Sequence, residues 1–535
     1  MSSDLPKTDR SSAGYSAGLF LVLLAALGVR AWELQGQSLS SDEIVEASIA
    51  RLELKEIIAY PDGFPPLYHL LLAGWSKVSP APESGRWLSV LLGVATAYAV
   101  ARWARGRVNP QAGLIAAALV ALSPLHVYLS QEMRAYSLYI CCASFALMYF
   151  FEALETDRAK SWSGFVISAA LAVNTHYYAA LLAALLGLLL LYYRPRWPQL
   201  RNGLAAFTAL SIGSLPAILL LPGDMAYQSD GFAAKAPLLA TLGHTAYAFF
   251  AGYSLGPSLP ELHVLPMRQA AAMAAPWVAF FGMIGCWLLW QGWRELRDRQ
   301  YGAGIIFLAV ASAPAIGLAG AMADVGPKVR YWSWILMPLL VWLAAGAAHG
   351  WNGRARWLTR AALATLLGVQ ALAVLNSHWD PRYAVEDIRS AASYLEQHAS
   401  IDEPIFVVSD YMAPPLRYYL NGEQTLENWL PHVEHDANEQ YESSDRVQAS
   451  AKRLIHPRSE EDVRGSTPLD DAALNEWLDT VRFLATDDGR FWLLYSRPFH
   501  GDPEGKLLAF LLDNGWIKAD RDFPGVKLYR GQAPR

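Results

Sequence analysis

Charge is what this chain is short of. Asp, Glu, Lys and Arg make up 17% of its 535 residues against 53% hydrophobic residues, whereas a soluble enzyme of this size carries about a quarter of its residues charged. There is no basic tract and no interleaving of aromatic with basic residues, so nucleic acid is not an expected partner. Cysteine is nearly absent. The three that occur, Cys141, Cys142 and Cys286, lie inside apolar runs at spacings that suit neither a disulfide framework nor a metal site, and they read as small core residues. The last third lacks a G-x-G-x-x-G, so no nucleotide is assigned to it.

What the chain has instead is apolar length. About twenty apolar residues cross a bilayer. Runs of that kind lie near residues 17–32, 87–103, 112–129 and 135–154, then in two closely joined spans over 162–193, and again near 204–221, 270–290, 301–322, 331–348 and 357–375. The expectation is a polytopic α-helical membrane protein with about eleven transmembrane helices. Lys7 and Arg10 precede the first run, but no small-x-small cleavage site follows it, so it is expected to remain as an uncleaved span.

The cations set the orientation. Arg102, Arg105 and Arg107 share one loop, Arg158 and Lys160 another, followed by Arg194, Arg196 and Arg201, by Arg294, Arg297 and Arg299, and by Arg354, Arg356 and Arg360. In an eleven-span count these loops fall on the same side as Lys7 and Arg10, which the positive-inside rule makes cytoplasmic. The loop holding Asp42, the turn Ser130-Gln-Glu-Met-Arg134, the junction with His176, the segment 222–267 and the turn before Arg330 then face outward together. Five segments distant in sequence bring acids, cations and a histidine to one face, and a cavity there is the economical reading.

After Asn376 the pattern becomes that of a soluble domain. Helices are expected over 385–398, 469–484 and 506–513, strands over 405–409 and 491–495, and a strand pair over 516–530, which together describe a small α/β layer domain. The division is residues 1–376 in the membrane and 377–535 outside it. Residues 430–466 are polar, acidic and turn-rich, as in an insertion or mobile loop. His432, Glu434, His435 and Asp436 invite a metal reading there, but no helix pattern supports it, and no metal or other cofactor is indicated.

The chemistry centres on Ser38-Leu-Ser-Ser-Asp-Glu-Ile-Val-Glu-Ala47 and its continuation to His69. Asp42 and Glu43 stand where lipid gives way to water, and a carboxylate at that level is a functional candidate. If the substrate is a lipid phosphate carrying an activated group, a base must take a proton from the attacking group and cations must hold the departing phosphate. Asp42 or Glu43 suits the first role, and Arg134, His176, Lys328 and Arg330 suit the second. Each has a plainer reading. Ser40, Ser41 or Asp42 is a good helix N-cap, Glu132 and Arg134 make a loop ion pair, His176 belongs to an interfacial aromatic belt, and Lys328 and Arg330 reach for lipid headgroups. Glu83 and Arg86 read as cap and anchor of the second span.

These residues carry a resemblance. Ser41-Asp-Glu43, Asp62 with Pro65-Pro-Leu-Tyr68, Glu83 with Arg86, the run Ser123-Pro-Leu-His-Val-Tyr-Leu-Ser-Gln-Glu-Met-Arg-Ala-Tyr136, Thr175-His-Tyr-Tyr178 and Arg330-Tyr331 resemble bacterial GT-C superfamily glycosyltransferases. The likeness is to the family 39 and aminoarabinose-transferase-like group related to protein O-mannosyltransferases. It covers the membrane part and extends loosely to Ala413-Pro-Pro-Leu-Arg-Tyr-Tyr419. It implies the GT-C fold and transfer of a sugar, with inversion, from a polyprenyl-phosphate donor to a glycan, lipid or protein acceptor at the periplasmic face of the bacterial inner membrane. Asp42 would be the base, with Glu43, Asp62, Glu132, Arg134, His176, Lys328 and Arg330 around the substrate. Phe64 departs from the pattern, since many relatives have His before Pro-Pro-Leu. A transporter or flippase of lipid-linked saccharides is the rival reading. It calls for inverted repeats and helix breaks at mid-membrane, and the sequence shows neither.

Overall fold

In lipid a backbone must satisfy its own hydrogen bonds, and each apolar run of the first 380 residues folds as a helix. The computed structural model describes residues 8–61, 63–229, 238–322, 328–400, 402–409, 412–421, 454–455, 471–502 and 504–534. Among these, six helices are long and apolar enough to cross a membrane: Ala13–Ala31, Pro82–Arg107, Tyr136–Thr156, Met267–Leu296, Val329–Gly350 and Arg356–Trp379. Two bent pairs, Pro110–Leu122 with Pro124–Gln131 and Trp197–Gly213 with Leu215–Asp224, bring the number to eight. Ala159–Val173, Ala179–Tyr193 and Gly302–Leu318 are shorter, roughly 22–26 Å at 1.5 Å per residue, against about 30 Å of hydrocarbon. Of the eleven spans expected, six thus stand as helices of spanning length among the described residues, two as bent pairs and three as shorter helices.

One break positions the site. The pair Pro110–Leu122 and Pro124–Gln131 bends by 58°. Pro124 has no N–H, so the Val120 carbonyl loses its donor within the helix. Arg30, fully buried on the first span, supplies it. Nη2 donates to Val120 O at 3.0 Å, and Nη1 donates to Ala121 O at 3.0 Å and to Ala26 O at 3.1 Å. Nη2 also lies 2.7 Å from His126 Nδ1. The pinned lower limb ends at Gln131 and delivers Glu132, Met133 and Arg134 to one end of the bundle.

The C-terminal part is a five-stranded sheet in the order β2-β1-β3-β5-β4, with β1 at Ile405–Val408, β2 at Leu454–Ile455, β3 at Arg490–Ser496, β4 at Ile517–Phe523 and β5 at Val526–Gln532. β1 runs parallel to β2 and β3, while β5 runs antiparallel to β3 and β4. Side chains alternate across a strand, so Phe406, Phe491 and Leu493 pack with Trp477 and Leu511 on one face. Ile405, Val407, Trp492 and Leu494 pack with Ile388, Leu395 and Leu416 on the other. The expected helices and strands stand within a few residues of their predicted places. The helix Ala413–Asn421 was not expected. Its two prolines, Pro414 and Pro415, fall in the first turn, where a missing N–H costs little. Most of 430–466, with His432, Glu434, His435 and Asp436, lies outside the described residues.

Candidate active site

Asp42 sits on a short, firmly started helix, Ser41–Ile49. Ser40 is its N-cap: Glu43 N–H donates to Ser40 Oγ at 3.3 Å, and Ser40 N–H donates to Glu43 Oε2 at 2.9 Å. This reciprocal box satisfies two backbone donors. Glu43 also accepts from Arg86 Nε at 2.7 Å, from Arg86 Nη2 at 2.8 Å and from Met133 N–H at 3.0 Å. Arg86 in turn donates to the carbonyls of Leu34, Gln37 and Ser38. Glu43, expected beside the substrate, is therefore placed in the interior of the loop, at 2% exposure, where it joins the first loop, the second span and the 131–135 turn. Arg86 is the anchor it was expected to be.

Asp42 points the other way. Its side chain is 52% accessible, against 2% for the neighbouring Glu43. Arg330 Nη1 lies 3.4 Å from Asp42 Oδ2 and Arg134 Nε lies 3.9 Å from it. Arg134 foremost, with Arg330 and Lys328, holds the Asp42 carboxyl well below the usual carboxylate range. Arg330 comes from the turn Val329–Ile335, 288 positions away, and its guanidinium lies 5.1 Å above the Tyr136 ring. Burial, then Arg330, draws the amine of Lys328 down to about 8.

Glu132 stands in the same turn as Arg134. One of its oxygens, Oε2, is buried and has no hydrogen-bond partner among the described residues. Burial pushes its carboxyl up to about 7 against the opposing pull of Arg330. His176 occupies the turn between Ala159–Val173 and Ala179–Tyr193, inside a cage of rings: Tyr139 at 4.6 Å, Tyr331 at 5.0 Å and Phe64 at 5.1 Å between centroids. Tyr178 N–H donates to its Nδ1 at 3.2 Å, which leaves the proton of the neutral ring on Nε2. Burial, then Arg330, lowers this imidazole to about 3, so it stays neutral. Phe64 also faces an open groove with space of about 310 Å³, lined by Tyr60, Pro66, Leu220 and Asp224. The structure thus brings Asp42, Glu132, Arg134, His176, Lys328 and Arg330 together. Asp62 lies outside the described residues. No group of three or more His, Cys, Asp or Glu suited to a metal ion occurs among the described residues.

The sequence of residues 64–218 matches the family described as dolichyl-phosphate-mannose-protein mannosyltransferase. Over its length the chain is similar in fold to ArnT from Cupriavidus metallidurans in the apo state, with a TM-score of 0.51 at 13% identity, covering 99% of this chain and 100% of that one. The likeness to ArnT is one of fold, and the family match is confined to residues 64–218. Weaker likenesses include the same ArnT bound to undecaprenyl phosphate, with a TM-score of 0.48 at 13% identity over 98% of each chain. Another is the oligosaccharyltransferase AglB from Archaeoglobus fulgidus in complex with an inhibitory peptide and a dolichol-phosphate, with a TM-score of 0.49 at 13% identity over 96% of this chain and 73% of that one. No curated protein matches the sequence significantly.

Reading the sequence missed one member of this cluster. Glu46, one helical turn after Asp42 and 1% exposed, takes Arg134 Nη1 at 3.0 Å on one oxygen and lies 3.0 Å from His69 Nε2 on the other. The signal was present, because residues four apart share a helix face. Arg134 is thereby held between Glu46 and Asp42, with its Nη1 also 3.5 Å from the Asp42 carbonyl.

Proposed function

We propose that this protein is a membrane glycosyltransferase that moves a sugar from a polyprenyl-phosphate donor to an acceptor hydroxyl or amine at the extracytoplasmic face of the inner membrane, with Asp42 as general base. The carrying observation is that an accessible carboxylate, Asp42, stands between Arg134 and Arg330. In this scheme Asp42 takes the proton as the acceptor atom attacks the anomeric carbon. The bond from that carbon to the phosphate oxygen breaks, and the lipid phosphate leaves with the electron pair. A single displacement from the opposite face inverts the carbon. Arg330, Arg134 and Lys328 offset the charge growing on the phosphate, which a preformed site does without reorganisation.

The resting site makes Asp42 a weak base, because two guanidiniums hold its proton affinity down. A phosphate that engages Arg330 and Arg134 shares their charge and raises the proton affinity of Asp42 toward the range a general base needs. The base is then strongest when donor is bound. Residues 1–376 are assigned the catalytic membrane part and 377–535 an outward α/β layer, in keeping with the cation-rich loops at the other end. Support for the lipid-phosphate donor comes from the cations at Asp42 and from the family matched by residues 64–218.

Asp42→Asn keeps the shape and removes the base. With a radiolabelled polyprenyl-phosphate sugar it should lower transfer at least a hundredfold, on the order of what general bases contribute, while retaining donor binding. Transfer at the wild-type rate would refute the assignment. Turnover of donor by the purified protein separates this reading from transport.

A further inference from the structure

Asp42 is not held in place by its own carboxylate. Its nearest cations stand at 3.4 Å, from Arg330 Nη1, and at 3.9 Å, from Arg134 Nε, against about 2.7–2.9 Å for a charge-assisted bond at full strength. Where the carboxylate stands therefore depends on the backbone that leads into its helix. Residues 32–40, between the first span and that helix, are in neither helix nor strand, so their course is set by what grips them from outside.

Two elements do so. From the second span, Arg86 donates to the carbonyls of Leu34, Gln37 and Ser38. From the C-terminal layer, Arg389 donates from Nη1 to Gln35 O at 2.8 Å and from its backbone N–H to Ser38 Oγ at 3.0 Å, while Ser38 Oγ donates to Asp387 Oδ1 at 3.3 Å. The Tyr419 hydroxyl accepts from Leu39 N–H at 2.7 Å, three residues before Asp42. Ser38 and Leu39 are buried, where water does not replace a lost partner. The two gripping side chains also meet, with the Arg389 guanidinium 5.4 Å from the Tyr419 ring.

The grip is firm on the layer's own side. Asp387 caps the helix Ile388–His398 by accepting from Ser390 N–H at 3.1 Å, and Ile388 packs with Leu416 of the helix Ala413–Asn421 in one apolar cluster with β1 and β3. That second helix also reaches the membrane part directly. It packs against Ser41–Ile49, and the Tyr418 hydroxyl donates to Glu83 Oε1 at 3.3 Å. The stretch Ala413-Pro-Pro-Leu-Arg-Tyr-Tyr419, to which the transfer scheme gives no part, thus lies between the sheet and the loop of the base.

We propose that Tyr419 and Arg389 are positioning residues for the transfer, through which the C-terminal layer fixes the approach of Asp42 to the reacting atoms. The proposal rests on Asp42 as the base. Neither residue touches substrate in this scheme; each acts on the backbone ahead of Asp42. A displacement of about 1 Å at a reacting group lowers a rate on the order of a hundredfold, so a loosened loop shows in turnover rather than in binding.

The test uses the full chain in detergent and the radiolabelled polyprenyl-phosphate sugar of the transfer assay, with turnover counted per site that binds undecaprenyl phosphate. Tyr419→Phe removes only the oxygen that takes Leu39 N–H, and Arg389→Ala removes the side-chain donors to Gln35 and Gln37. Each should lower kcat about tenfold or more, with KM for the donor and Kd for undecaprenyl phosphate unchanged. Arg389→Lys should recover part of kcat. The decisive comparison places Tyr419→Phe in the Asp42→Asn chain. Residues that act as a unit do not add, so the residual rate of Asp42→Asn should not fall further. A further fall overturns the proposal, because it shows a general loosening that does not pass through Asp42. Wild-type kcat in both Tyr419→Phe and Arg389→Ala, or a loss confined to KM, also overturns it and leaves the base standing. Wild-type transfer by Asp42→Asn removes the base and this proposal with it. Should Arg389→Ala not fold, Arg389→Gln carries the same comparison.

Discussion

Glu43 and Arg86 are joined in the interior by a two-pronged ion pair, Nε to Oε1 at 2.7 Å and Nη2 to Oε2 at 2.8 Å. The pair holds the first loop, and with it Asp42, onto the second span. Removing one partner leaves the other charged and buried, which costs about 3–5 kcal/mol. Glu43→Ala should therefore lower the melting temperature in detergent sharply, while Asp42→Asn, one residue away, leaves it in place. Equal melts for both variants would show that the two neighbouring acids do not divide the work in this way.

Arg330 offers Asp42 and an incoming phosphate a planar fork that an amine cannot reproduce. Arg330→Ala should weaken donor binding by about tenfold or more, and Arg330→Lys should recover only part of it. Binding measured by fluorescence titration checks this, and a fully functional lysine variant would mean that only charge matters at this position.

Glu132 carries a carboxyl that burial lifts to about 7. A raised carboxyl favours the folded state below its unfolded value near 4.5 and loses that contribution as pH climbs through about 7. Glu132→Gln, which never ionises, should therefore melt higher than the wild-type chain above pH 7, with the difference vanishing toward pH 4.5. Melting curves across that range decide it. A difference that grows toward acid would assign the opposite sign to the shift.

Arg30 supplies the donors that Pro124 removes from the broken helix. Arg30→Met leaves the carbonyls of Val120 and Ala121 without those donors in an apolar interior, a cost of about 1–3 kcal/mol for each unsatisfied group. The variant should melt lower and also lose donor affinity, because the limb it pins carries Glu132 and Arg134. A variant that melts lower yet binds donor normally would show the break to be structural only.

Much of the architecture was legible because lipid imposes a simple rule on the chain. Apolar length located the helices, and short continuous apolar runs located the buried strands β1 and β3. The charged turns that the fold gathers around Asp42 were legible as well, since charge at the membrane edge is costly without a use. The partition among the acids was not. Asp42, Glu43 and Glu46 lie within five positions, and nothing local says that Glu43 meets Arg86 across the core while Asp42 meets Arg330.

The linear order of residues alone marked the membrane-length apolar runs and the α/β layer that follows them, and singled out Asp42, Arg134 and Arg330 as the proposed site. Those conclusions depend on local periodicity and on transfer energies, which each segment carries with it. Folding decided that Glu43 meets Arg86 while Asp42 meets Arg330, and that Arg30 repairs the break at Pro124. Such pairings depend on where distant segments come to rest against one another, and no short stretch of sequence contains that distance.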